Sequence, residues 1–265
     1  MIGFLHTLAQ AGYYLPANDY YHGASTTAGS MYGGYTIIGM VIVLLAMLLG
    51  GAVQMGLKSA FARYSQEHAP LTGAEVARKM LHQYGLDNVQ VISTPGRLTD
   101  HYNPLDRTVN LSESVYNEAS VAAMAVAAHE CGHAVQHAQA YPWLGMRSSM
   151  VPMVNIGSRL GQIVLFVGIM LLAAGSSTTV AWIGLALYAT TTLFALVTLP
   201  VEFDASRRAL VWLQSSGYAD RAMHGQAGTA LRWAAMTYVA AALSSLAMLL
   251  YYALIILSRM NNNRE

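Results

Sequence analysis

Charge is scarce in this chain. Only 10% of its 265 residues are Asp, Glu, Lys or Arg, against 55% hydrophobic, which excludes an ordinary soluble domain and reads as a membrane protein. Neither sign is in excess: a net charge of +1 leaves no basic face to grip nucleic acid. The single cysteine, Cys131, excludes an intramolecular disulfide, so nothing requires an oxidising compartment. Residues 1–34 contain no lysine or arginine and one carboxylate, Asp19, which excludes the basic start of a secretory signal peptide and predicts a retained N-terminus. That segment is instead rich in glycine and tyrosine, with Tyr13, Tyr14, Tyr20, Tyr21 and Tyr32. It reads either as an extracytoplasmic, interfacial segment, because phenol rings sit well at headgroup depth, or as a poorly ordered tail.

What is abundant is apolar sequence in long runs. Residues 35–53, 160–174, 181–199 and 234–257 are candidate spans. The second is short of the roughly 20 residues that a span needs, so its helix is expected to start around residues 152–157, with Arg159 snorkelling toward the headgroups. Eight of the lysines and arginines fall between Lys58 and Arg159, four between Arg207 and Arg232, and Arg259 and Arg264 come last. The positive-inside rule then places both long loops in the cytoplasm and both termini outside. The expected order is an interfacial segment (1–34), a first span (35–54), a cytoplasmic α+β domain (55–150), spans at 151–175 and 180–200, a cytoplasmic helical segment (201–233), a last span (234–257) and a tail (258–265).

The first cytoplasmic loop carries His129-Glu130-Cys131-Gly132-His133, the HExxH pattern, in an alanine-rich, helix-forming stretch. At about 100° per residue the two histidines project roughly 40° apart on one helix face, near enough to share a metal ion. Glu130 lies about 80° from their midpoint on the same wheel, within reach of a water on that metal. Zinc held by imidazole and carboxylate keeps a position open and lowers the pKa of its water to about 7, so an adjacent glutamate can take the proton. Around the motif, residues 72–84 read as a helix with Thr72 and Glu75 forming a capping box. Residues 89–92 and 108–111 read as short strands, 112–117 as a short helix, and 120–138 as the metal helix. The order of helix, two or three strands and metal helix matches the gluzincin-type metallopeptidases by fold-level analogy.

A third ligand is required. The segment from Leu199 to Arg208 follows the third span and offers Glu202 and Asp204, with Pro200 able to kink the chain and aim Glu202 at the metal helix. A carboxylate so close to an apolar span needs a cation partner, and zinc would be one. The alternative is a solvated pairing of either carboxylate with Arg207 or Arg208.

Residues 99–104 (Thr-Asp-His-Tyr-Asn-Pro), the motif from Ala128 to His133, and the segment from Leu199 to Ala209 together resemble the YugP-like neutral zinc metallopeptidases of bacterial membranes, over about residues 55–250. The resemblance implies one zinc per chain held by His129, His133 and Glu202, with Glu130 as base. The heat-shock and CAAX-prenyl membrane proteases, similar in plan, place an aspartate four residues after the third-ligand glutamate to orient a histidine; here that position is Ser206. Asp204, Asp100 or a backbone carbonyl could serve instead.

His101 and Tyr102, before the Asn103-Pro104 turn, are the best candidates to donate to an oxyanion, with His224 competing and His137 a candidate for orienting substrate. Cys131 points about 180° from the histidine midpoint and reads as packed core. The fold class expected is a mainly α-helical integral membrane protein of about four transmembrane helices, with a small α+β gluzincin-like zinc metallopeptidase domain on the cytoplasmic side. The function expected is hydrolysis of peptide bonds in membrane or membrane-proximal proteins by zinc-activated water with Glu130 as general base. The bilayer is one partner, a protein or peptide substrate another. Small residues such as those at 240–245 could pack against a second copy or against one another. A site-two-type intramembrane protease is disfavoured because no aspartate lies in any span. A noncatalytic scaffold with structural zinc would need four protein ligands.

Overall fold

The computed structural model describes residues 28–262; the interfacial reading of residues 1–27 and Arg264 lie outside the described residues. Among the described residues four helices are long and apolar enough to cross a membrane: α1 (Ala28–Tyr64), α5 (Pro142–Ala173), α6 (Thr179–Ser215) and α7 (Arg221–Asn262). Between α1 and α5 come α2 (Gly73–Gln83), β1 (Gln90–Thr94), β2 (His101–Asn103), β3 (Thr108–Ser112), α3 (Glu113–Asn117) and α4 (Val121–Ala138).

Several boundaries differ from those expected: α1 takes in residues 28–34 of the segment read as interfacial and outruns the span expected at 35–54, and α7 outruns the one expected at 234–257. Helix α5 begins at Pro142 rather than near residue 152, because proline has the backbone angle of a first helical turn and the ladder continues where the apolar composition ends. Helix α6 continues through Pro200 to Ser215, so residues 200 and 201 lie within one helix. The chain from His101 to Asn103, read as the approach to a turn, is a strand.

The described residues form two compact units. The first comprises residues 52–146 and 197–239. In it α2 starts at the capping box expected: Thr72 Oγ1 accepts from Glu75 N at 3.3 Å, and Glu75 Oε2 accepts from Thr72 N at 2.8 Å. Ala74, Ala77, Met80 and Leu81 of α2 are buried at helical spacing, and Cys131 Sγ of α4 meets Ala77 O at 3.6 Å. Strand β3 is the centre of a three-stranded sheet in the order β1-β3-β2, parallel to β1 (Gln90 opposite Thr108) and antiparallel to β2 (Tyr102 opposite Val109). All five β3 residues are buried. Ser120 caps α4 by accepting from Ala123 N at 3.2 Å.

Helix α4 is buried on every side from Val121 to Gln136, the state of a helix that is apolar nearly all round. His129, Glu130, His133 and Gln136 are thereby taken out of water, and each must find a partner within the protein or in a bound ion. Trp212 and Leu213 of α6 and Ala227, Ala230 and Leu231 of α7 complete this core.

The second unit comprises residues 28–51, 147–196 and 240–262 of the described chain. Its core joins Leu165 and Leu172 of α5, Ala181 and Leu185 of α6 and Ile256 of α7. Gly168 lies against the backbone of Ala181 and Gly184 against that of Leu165, a close approach that only residues without a side chain permit.

Candidate metal centre

The HExxH residues of α4 face the segment 202–206 of α6. His129 Nε2 lies 3.3 Å and His133 Nε2 3.5 Å from Glu202 Oε2, and the ligand atoms of the three residues all fall within 4.8 Å of one another. A tetrahedral zinc with bonds of about 2.0–2.1 Å has ligand-to-ligand edges of roughly 3.3–3.4 Å, so both separations suit two corners of one coordination shell. Among the described residues no further histidine, cysteine or carboxylate joins this group. The two carboxylates near Pro200 divide the alternatives between them. Glu202 turns to the histidines, whereas Asp204 pairs with Arg207 and Arg208.

Each imidazole is held from behind by an uncharged side chain. His129 Nδ1 lies 3.1 Å from Ser206 Oγ, and His133 Nδ1 lies 3.0 Å from Gln136 Oε1. Ser206, four residues after Glu202, thus stands toward His129. Asp100 is not the partner: it accepts from Ser112 N at 2.7 Å and Ser112 Oγ at 3.0 Å, and burial pushes its carboxyl up. Sequence reasoning missed Gln136. The available signal was its position three residues after His133, on the same helix face. Gly132 lets the two helices meet, since a β-carbon there would lie 2.6 Å from Ala205 O.

Glu130 is 1% exposed. Its Oε2 accepts from Tyr102 N at 3.1 Å, while Oε1 has no hydrogen-bonding partner among the described residues. Burial pushes its carboxyl up to about 7, with Glu202 and Asp100 adding to the rise and His129 opposing it. Such a group is poised between holding and releasing a proton near neutrality. An unpartnered buried oxygen beside two imidazoles and a carboxylate is a donor set that suits a divalent metal and its water.

The other candidates have separate attachments. Tyr102 brings its backbone to Glu130, and its hydroxyl lies 2.8 Å from His137 Nδ1; burial raises that phenol. His101 Nδ1 lies 2.7 Å from Thr99 O, and His224 Nε2 lies 3.2 Å from Leu210 O. Cys131 is in the core, its thiol pushed well up by burial.

These features define a class: a protein of four long apolar helices with an HExxH helix and a buried glutamate arranged to hold a metal. The chain belongs to the family described as "Putative neutral zinc metallopeptidase", whose profile matches residues 39–257. It is 41% identical over 224 residues to the "Putative membrane protease YugP" of Bacillus subtilis (strain 168), an alignment covering 84% of this chain and 98% of that protein. No solved structure matches the chain. Zinc is the metal that this family implies.

Proposed function

We propose that the chain is a membrane-bound zinc endopeptidase that binds one zinc through His129, His133 and Glu202 and works at the cytoplasmic face of the membrane. The observation that carries this reading is the buried Glu130 next to three ligand atoms that lie within 4.8 Å of one another, two of their separations, 3.3 and 3.5 Å, matching a tetrahedral edge. Three protein ligands suit a catalytic site, because a structural zinc takes four. Bound zinc would polarise the scissile carbonyl and make a water acidic near neutral pH. Glu130, held by Tyr102 N through Oε2, would receive the proton of the attacking water on Oε1 and hand it to the leaving amine.

Among the described residues strand β2 pairs with β3 on one side only, and its other edge would take an extended peptide. Tyr102 N is engaged by Glu130, leaving the Tyr102 carbonyl to accept from a substrate N–H. Of the two candidate oxyanion donors the reading favours the Tyr102 hydroxyl, which lies 2.8 Å from His137 Nδ1. His101 has Nδ1 against Thr99 O, so as a neutral ring donating there it presents only a lone pair on Nε2.

Glu202 lies 23 residues after Thr179, about 34 Å along the helix at 1.5 Å per residue, just past a hydrocarbon core of about 30 Å. That placement favours membrane proteins and juxtamembrane segments as substrates. The twelve lysines and arginines between Lys58 and Arg232, which fall in or beside the two long segments between the spans, favour the cytoplasmic side.

The test is zinc content and casein cleavage by the purified full-length chain in detergent. About one zinc per chain is expected, with cleavage that a chelator abolishes and added zinc restores. A fully zinc-loaded protein that cleaves neither casein nor detergent-solubilised membrane proteins sinks the reading and leaves a scaffold. A smaller effect is expected at Ser206. Ser206→Ala takes the acceptor from His129 Nδ1 without altering the donor set, and zinc affinity measured against a competing chelator should fall about tenfold.

A further inference from the structure

We infer that Gln136 is a positioning residue that sets the tautomer of His133 and registers the helix bearing Glu202 against the helix bearing the histidines. The inference rests on the metal-site reading above.

Gln136 is fully buried and all of its hydrogen-bonding groups toward the site are used. Its Nε2 donates to Val201 O at 2.8 Å and to Asp204 Oδ2 at 2.9 Å. Both of those partners are acceptors only, so the amide nitrogen must face them and Oε1 must face His133. An amide oxygen cannot donate. His133 Nδ1, 3.0 Å away, is therefore the protonated nitrogen, and the lone pair of the neutral ring falls on Nε2, the atom beside Glu202. One side chain thus aims the second histidine at the metal position and grips α6 at the peptide immediately before Glu202.

The acceptor Asp204 is itself anchored from the far side by Arg207 and Arg208, and Arg208 Nη1 donates to Gln139 Oε1 at 2.6 Å. The α4–α6 junction is thereby closed by a chain running His133, Gln136, Asp204, Arg208, Gln139. Glutamine suits the relay because it is neutral and both donates and accepts. A carboxylate in its place could still receive the His133 N–H, but would lose both donors toward α6 and face Asp204 with like charge.

The experiment compares wild type, Gln136→Leu and Gln136→Glu as full-length proteins in one detergent, by zinc affinity against a competing chelator and by the visible absorption of the cobalt-loaded forms. Both variants should bind zinc at least tenfold more weakly, with altered intensity of the cobalt bands, which report the arrangement of ligands. A part in stability alone would lower the melting temperature and leave the cobalt spectrum unchanged, and that result overturns the inference. Wild-type zinc affinity in Gln136→Glu also overturns it, and this variant, having the volume of the native side chain, decides the matter if Gln136→Leu does not fold. A wild-type chain that binds no metal overturns the site reading and this inference together. Unchanged affinity in the variants of a zinc-binding wild type overturns only the role of Gln136.

Discussion

Glu130→Gln is expected to hold zinc like the wild type and to cleave casein at least about a hundredfold more slowly. Glutamine has the shape of glutamate and keeps an oxygen to accept from Tyr102 N, so the contact between β2 and α4 survives. What is lost is the basic oxygen at the position of Oε1, and a positioned general base supplies about 10²–10⁴-fold in rate. Zinc should stay, because the three candidate ligand atoms belong to His129, His133 and Glu202. A second consequence has the opposite sign to most core substitutions. In the metal-free chain the Glu130 carboxyl sits at about 7 against an ordinary 4.5, chiefly through burial. A carboxyl raised on folding stabilises the fold fully below its unfolded pKa, and that contribution is lost as pH rises through the folded value. Above about pH 7 the ionised group is therefore a burden that glutamine removes. The chelator-treated variant should melt at or above the wild type at pH 8. Loss of zinc from the variant would show that Glu130 binds the metal, and retained cleavage would remove it as the base.

How far the sequence could be read follows from the range of the forces involved. The Thr72 capping box and the Ser120 start of the metal helix were legible because caps are settled within four residues. The pairing of His129 with His133 was legible because helical geometry alone brings them to one face. Glu202 was found by a different argument, the cost of a carboxylate beside an apolar span. Ser206 was noticed only as a missing aspartate, and its approach to His129 depends on how α6 lies against α4. The contact of Gln136 with His133 had a local signal in its spacing, but its hold on α6 had none, because its partners Val201 and Asp204 are more than sixty residues away. Composition also misplaced the ends of the long helices. Apolar runs report where lipid would lie, whereas the hydrogen-bond ladder of α5 reaches back to Pro142 and that of α6 passes Pro200. The proline leaves the carbonyl four residues earlier without its ladder donor, and just past that break Gln136 Nε2 and Tyr141 Oη donate to the carbonyls of Val201 and Pro200. Strand β2 is three residues long, too short for an alternating pattern, and owes its form to pairing with the buried β3.

Gly132→Ala should cost both the fold and the metal, against the trend for helices. Replacing glycine by alanine inside a helix ordinarily stabilises it by about 0.8–1.0 kcal/mol. At Gly132 the added carbon would lie 2.6 Å from Ala205 O, 3.1 Å from its Cα and 3.2 Å from its carbonyl carbon. All three are backbone atoms, so no side chain can turn aside, and relief requires α6 to move away from α4 by on the order of 1 Å, toward ordinary contact distance. Overpacking of this kind costs roughly 1–3 kcal/mol. The displaced segment carries Glu202, Asp204 and Ser206 together, so the contacts of Glu202 with both histidines, of Asp204 with Gln136 and of Ser206 with His129 open in one movement. A misplacement of about 1 Å at a reacting centre is enough to cost on the order of a hundredfold. Zinc affinity and cleavage should therefore both fall by at least that factor, with a lower melting temperature even in the metal-free chain. Gly225→Ala supplies the contrast, since it lies within α7 and a β-carbon there meets nothing within 4 Å. It should raise the melting temperature slightly and leave zinc binding unchanged. If Gly132→Ala instead matched Gly225→Ala in both stability and zinc affinity, the close approach of α4 and α6 at Ala205 would not be what brings Glu202 to the histidines.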